Sequence, residues 1–318
     1  MTEPIFAMHS TSSSLSLPPE LHKFQPLPRI LCYDDFDRGT CGWMDLKPNH
    51  TQADFRPLKS VIDKTRWGPC MLSTASYGYA GTHGSMDGLY SLKLTTHPVA
   101  ARYEQPPIAG SLGAAVKRLT FHREHRQWKF EMWFAYTPEQ DRVGLGEKDI
   151  RAFGVMFDIQ DDTYRYQPAV RYVNSVNGQL KQHWQIFDPK RVSDAEWGFG
   201  SDIEWAKWGL DALWYGRRRP DGTTDAFQFL DGGHQQLCYN ETDDKINWLY
   251  FSLTLDTQAR EYVEMQAGDR TFDLRGRKIA CCAPYARIRG LVNPLVWIES
   301  DTNRRVYFYI DSIVISQE

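Results

Sequence analysis

Apolar and polar residues alternate with a period of two along most of this chain, from residue 29 to the end. Such alternation marks strands with one buried and one polar face. The clearest run is 127–136. Trp128, Phe130, Met132 and Phe134 share one side, and Lys129, Glu131 and Trp133 share the other. Residues 151–159 place Phe153, Val155 and Phe157 against Gly154, Met156 and Asp158. In 169–174, Val170 and Tyr172 oppose Arg171, and in 180–187, Trp184 and Ile186 oppose Lys181, His183 and Gln185. Residues 248–256 put Leu249, Phe251, Leu253 and Leu255 on one face, with 261–266 as a hairpin partner. Further strands are expected at 29–36, 89–95, 115–121, 226–230, 236–240, 295–300 and 306–316.

Helical periodicity is nearly absent. The exception lies in a loop-rich insertion at about 188–225, where Ser201 and Glu204 form a capping-box signature and predict a short helix over 202–214. Many short strands with helices confined to loops predict an all-β chain folded as an antiparallel β-sandwich, a jelly roll with long loops and one or two short helices. The expected organisation is a loose leader over 1–28, rich in Ser and Pro, followed by a single domain over 29–318.

Charge narrows the function classes. Charged residues make up 24% of the chain and the formal net charge is −3, which excludes a polycationic nucleic-acid binder and an acidic disordered tail. The sequence has no apolar run long enough for a membrane helix. The leader lacks a basic start and an apolar h-region, so the expected location is cytoplasmic. The six cysteines lack CxxC spacing and two are adjacent, which reads as free buried thiols. Cys32 and Cys41 could also meet across a hairpin. No phosphate-binding loop or dinucleotide fingerprint occurs. Ser85 stands one place early for a nucleophile elbow.

Several segments resemble known strands. The run from Ile30 through Asp34 and Asp35 to Gly39 is similar to the first strand of concanavalin A-like lectin/glucanase jelly rolls. The run from Leu89 to Leu94 resembles a following strand, and Asn247 to Asp256 with Arg260 to Val263 resembles the paired long strands. Phe308 to Ile315 resembles the closing strand, and the whole chain resembles an uncharacterised bacterial family of single-domain proteins. The resemblance implies carbohydrate binding or cleavage on a concave sheet face. The Glu-x-Asp-x-x-Glu motif of the glucanase members is missing, since Met132 and Trp133 follow Glu131. In similar jelly rolls the first and last strands often share a structural Ca2+, for which Asp35, Asp37 and Asp311 (with Asp34) are the candidate ligands here.

Strand parity supplies the candidate chemistry. If Phe130, Phe153, Val170, Trp184 and Phe227 face the core, one polar face carries Glu131, Trp133, Asp158, Arg171, His183, Gln185 and Gln228. Glu131 and Asp158 form a candidate acid/base pair for a glycoside hydrolase, which needs two carboxyl groups roughly 5–9.5 Å apart. For a lyase, His183 is the candidate base and Arg171 the group stabilising the developing anion. Trp133, Gln185 and Gln228 are candidate sugar contacts. A solvated sheet face with ordinary cross-strand ion pairs accounts for the same pattern.

The aromatic content of 14% includes 11 Trp. Trp197, Trp205, Trp208 and Trp214 cluster beside Arg217, Arg218 and Arg219. Trp205 and Trp208 are candidate stacking platforms for a saccharide, or packing residues for the insertion, or an interface for a homo-oligomer. Three readings therefore stand open: a hydrolase or lyase of small saccharides, a non-catalytic sugar-binding module, and a structural subunit. None involves nucleic acid or membrane.

Overall fold

The computed structural model describes residues 17–45, 67–68, 70–74, 84–96, 111–120, 126–138, 146–188, 227–240, 247–282, 284, 290–300, 302 and 304–318. The strands are β1 (Arg29–Asp34), β2 (Met44–Asp45), β3 (Trp67–Gly68), β4 (Cys70–Thr74), β5 (Tyr90–Thr95), β6 (Ser111–Val116) and β7 (Leu119–Thr120). They continue as β8 (Gln127–Pro138), β9 (Ile150–Gln160), β10 (Arg165–Tyr166), β11 (Ala169–Val176), β12 (Gln179–Phe187) and β13 (Phe227–His234). The last are β14 (Leu249–Asp256), β15 (Glu261–Ala267), β16 (Arg270–Asp273), β17 (Cys281–Cys282), β18 (Leu291–Ser300) and β19 (Val306–Gln317).

These strands build the expected antiparallel sandwich. One sheet has eight strands in the order β16-β15-β14-β8-β19-β5-β4, with β1 added along β19. The other has eleven, built on the order β13-β12-β11-β9-β18-β6-β2. The one parallel pair among the described residues is β3 with β6. The strand expected at 236–240 is not a strand. That stretch runs between the sheets, where the Tyr136 hydroxyl donates to the Leu237 carbonyl at 3.2 Å and the Asn240 N–H donates to the Tyr136 carbonyl at 3.1 Å. The helix expected at 202–214 lies outside the described residues.

The core sits where alternation predicts. Phe130 meets Phe157 with ring centres 5.5 Å apart, and Phe134 meets Phe153 at 5.2 Å, joining β8 of one sheet to β9 of the other. Trp128, Met132, Val155, Tyr172, Trp184, Ile186, Phe251, Leu253, Val296, Ile298, Ile313 and Ile315 complete the same cluster. Truncating one such aromatic residue typically costs ~3–5 kcal/mol.

The leader is packed rather than loose over its described part. Residues 17–28 lie across the outer face of the eight-stranded sheet, where Leu21 and Phe24 bury against Tyr250 and Val314, with Trp133 and Tyr33 packed alongside. The Trp133 indole N–H donates to the Lys23 carbonyl at 3.1 Å, and the Leu27 N–H to the Ser316 hydroxyl at 2.9 Å. These contacts satisfy backbone groups of the strap, which begins with a 3-10 turn at Pro19–Leu21 and pairs with no strand.

Among the described cysteines, Cys32, Cys41, Cys238 and Cys281 are free, so no bridge joins Cys32 to Cys41. Cys238 is exposed, contrary to the expectation of burial.

Candidate functional site

The parity argument identifies the strand faces correctly but joins two faces that the fold separates. Phe130 and Phe157 meet in the core. Their neighbours Glu131 and Asp158 therefore point away from each other, Glu131 outward from the eight-stranded sheet and Asp158 outward from the eleven-stranded one. The expected Glu131–Asp158 pair is not assembled.

Glu131 is a structural anchor for the strap. Its Oε1 accepts hydrogen bonds from the Gln25 N–H at 2.7 Å and the Tyr250 hydroxyl at 2.6 Å, and Lys129 Nζ stands 3.5 Å away. Burial, and then the Glu131 charge, push the Tyr250 phenol well above its ordinary pKa. Trp133 lies under the same strap with its ring 5.5 Å from that of Tyr250. Neither belongs with the remaining candidates.

The outer face of the eleven-stranded sheet carries Asp158, Arg171, His183 and Gln185, and of these it brings Arg171 and Gln185 together. Strands β9, β11 and β12 are neighbours, with Arg171 in register with Gly154 on one side and Gln185 on the other. Arg171 Nε donates to Gln185 Oε1 at 2.7 Å. Its guanidinium carbon lies 4.4 Å from the centre of the Phe227 ring. A terminal nitrogen stands 3.6 Å from Glu299 Oε1. Glu299 also accepts from the Trp297 indole N–H at 2.8 Å, and Arg151 Nε lies 3.1 Å from its Oε2. Arg171, Glu299 and Trp297 are all fully buried. The result is a continuous network Arg151–Glu299–Arg171–Gln185 edged by the rings of Trp297 and Phe227.

Four members of this network, Arg151, Phe227, Trp297 and Glu299, come from outside the predicted set. Phe227 was expected in the core but sits on the outer face, in register with Phe187 and beside it at 5.4 Å. Trp297 and Glu299 lie on β18, where the alternation of Leu295, Trp297 and Glu299 against Val296 and Ile298 already carried the signal. Gly154 leaves room for the Trp297 ring, since a Cβ there would come within 2.5 Å of it.

The other candidates stand apart from this network. Asp158 is held by Arg165, whose Nε and terminal nitrogen donate at 2.9 and 2.7 Å. Gln228 pairs with Ile186, so parity turns it away from the face of Gln185. His183 sits at the edge with β13, its Nε2 2.9 Å from the Leu230 carbonyl. Trp205 and Trp208 lie outside the described residues.

The candidate calcium ligands bind hydrogen-bond donors instead. Asp311 Oδ1 accepts from Ser85 Oγ and from the Met86 and Asp87 N–H groups at 2.6–3.1 Å. Its Oδ2 accepts from Lys23 Nζ at 2.8 Å and from Ser312 at 3.0 Å. Asp37 Oδ1 takes the Leu89 and Tyr90 N–H groups at 2.6 and 2.9 Å, and Asp35 takes the Asp37 N–H at 3.1 Å. Asp34 pairs with Lys117 Nζ at 2.7 Å and accepts from the Trp43 indole N–H at 2.9 Å. A carboxylate ringed by N–H and O–H donors does not fit a hard cation. Among the described residues no three His, Cys, Asp or Glu side chains gather for a metal.

A family described as "Domain of unknown function (DUF6772)" matches residues 11–318. No curated protein matches the sequence. Among solved structures, the chain is similar to winged bean acidic lectin complexed with methyl-alpha-D-galactose, at 9% identity, TM-score 0.36, and coverage of 90% of this chain and 99% of that one. A lectin from Bauhinia forficata in complex with GalNAc gives 10% identity and TM-score 0.33 over 78% and 92% of the two chains. The Emp46p carbohydrate recognition domain in its potassium-bound form gives 9% identity and 0.33 over 66% and 80%. Scores this low carry no argument about ligand. Among the described residues no helix is long and apolar enough to cross a membrane.

Proposed function

The chain belongs to that family of unknown function, and from its own residues we propose that it is a saccharide-binding domain whose ligand face is the outer face of the eleven-stranded sheet. The observation that carries this reading is the Arg171 network. Gln185, Glu299 and Phe227 hold the guanidinium in one orientation, with Trp297 bonded to the same Glu299. A guanidinium, an amide and a carboxylate beside aromatic rings are the group types that recognise saccharides, and here, being buried, they form the rigid base of the ligand face rather than its exposed contact surface. Burying two arginines with one glutamate does not generally add stability over an apolar packing, which supports a functional reason for the network.

The reading is binding rather than cleavage. On β9, β11, β12 and β18 the outward carboxylates are Asp158 and Glu299. Asp158 is opposite Asn293, six positions along β18 from Glu299. At ~3.3 Å per residue the two are about 20 Å apart, too far for a glycosidase pair. The test is a panel of neutral and uronic saccharides scored by thermal shift and by product chromatography. Binding without product is the expected result. Turnover of any saccharide, or no shift with all of them, contradicts the reading.

A further inference from the structure

We infer that His183 and His234 form a two-imidazole chelate for a borderline divalent transition metal such as Zn2+ or Ni2+, at the β13 end of the eleven-stranded sheet. The inference stands on its own geometry and does not depend on saccharide binding. The two residues are direct cross-strand partners on β12 and β13. Their ring centres lie 6.2 Å apart at an interplanar angle of 71°. With metal–nitrogen bonds near 2.0–2.1 Å, two imidazoles on one tetrahedral ion hold their ring centres roughly 5–6 Å apart. A small rotation of the exposed His234 side chain closes the gap.

The tautomer of His183 is fixed by its neighbour. Its Nε2 lies 2.9 Å from the Leu230 carbonyl oxygen. A carbonyl only accepts, so Nε2 carries the proton and Nδ1 presents its lone pair. A ring nitrogen donating to a backbone carbonyl leaves the other as the metal-binding nitrogen, the arrangement that orients histidine ligands.

The backbone around the pair is built for close approach. Gly232 adopts a left-handed φ of 66°, and a Cβ at Gly233 would come within 3.1 Å of His183 Cδ2. The turn is pinned by Arg270, whose guanidinium donates to the His234 carbonyl and, at 3.0 Å, to the Gly232 carbonyl. The Gln235 N–H donates to the Gln182 carbonyl at 2.8 Å and locks the two strands beside the pair. Phe229 packs edge-on against the His183 ring at 4.8 Å and restricts its rotation. His183 is therefore held in place, and the exposed His234 side chain supplies the adjustment that brings a second imidazole to the same ion. No third protein ligand joins them among the described residues, so water completes the coordination. Imidazole donors select Zn2+, Ni2+ or Cu2+ over Ca2+ and Mg2+.

Calorimetric titration of the full chain with Zn2+ tests this, with the visible absorption of bound Co2+ as a second readout. One Zn2+ per chain is expected for the wild type. That event should be lost in His183→Gln and in His234→Gln, and kept in His22→Gln, a histidine in the strap. His234 is exposed, so its variant decides the matter even if His183→Gln does not fold. No stoichiometric binding by the wild type, or equal binding by His234→Gln and the wild type, overturns the inference.

Discussion

Arg165 grips Asp158 at two points, through Nε to Oδ1 at 2.9 Å and a terminal nitrogen to Oδ2 at 2.7 Å, with both side chains nearly buried. Gln167 adds a longer contact to the same carboxylate at 3.4 Å. An acid held this way ties β10 back to β9. Arg165→Ala is expected to cost ~3–5 kcal/mol, because it strands a buried charge. Replacing both partners with leucine should recover much of that loss. Urea unfolding of the three variants measures it.

The strap gives a second prediction. Glu131→Ala leaves the Gln25 N–H and the Tyr250 hydroxyl without their acceptor. A loss of ~1–3 kcal/mol follows. Amide exchange should quicken in residues 17–28, while saccharide binding on the far side of the sandwich stays unchanged.

Gly154→Ala tests the packing beneath Trp297. The added Cβ would meet the Trp297 ring and the Val170 carbonyl oxygen at 2.5 Å each. Backbone cannot yield as a flexible side chain does, so a loss of ~1–3 kcal/mol or more is expected by thermal melting.

Alkaline stability should fall in a defined direction. Burial, then the Asp34 charge, push the Cys32 thiol up to about 12. Burial pushes Cys281 up to about 11, and burial followed by Asp35 pushes Tyr33 up to about 12. Each folded pKa lies above its unfolded value, so the folded chain holds these protons after the unfolded chain has lost them. Their contribution is complete below the unfolded pKa, near 8.5 for thiols and 10 for tyrosine, and is lost as pH rises through the folded values. Denaturation midpoints that stay level from pH 7 to 8 and then drop toward pH 11–12 are the expected result. At pH 8 a thiol reagent should label exposed Cys238 long before Cys32.

Much of the sandwich was legible in the alternation itself. Trp128, Phe130, Met132 and Phe134 bury together because side chains on a strand change face at every residue. Parity cannot say which sheet a strand joins. The strands β8 and β9 are consecutive in sequence yet lie in different sheets, and this divides Glu131 from Asp158. Phe227 misled for a related reason. An aromatic residue on a strand reads as core, whereas this ring lies against the Arg171 guanidinium on the outer face. The acids at Asp37 and Asp311 look like metal ligands in sequence. Their donors at Met86, Asp87, Leu89 and Tyr90 are supplied by a loop and the start of β5, which only the fold brings near.

The most direct measurement of the central claim compares one saccharide from the panel on two variants by calorimetry. Gln185→Ala removes the acceptor that orients Arg171 on the eleven-stranded sheet. Ser252→Ala alters the opposite outer face, where Ser252 is in register with Glu131. The account predicts that affinity drops about tenfold or more in Gln185→Ala, the equivalent of ~1.4 kcal/mol, and holds in Ser252→Ala. Unchanged affinity in Gln185→Ala, or a loss confined to Ser252→Ala, would contradict it.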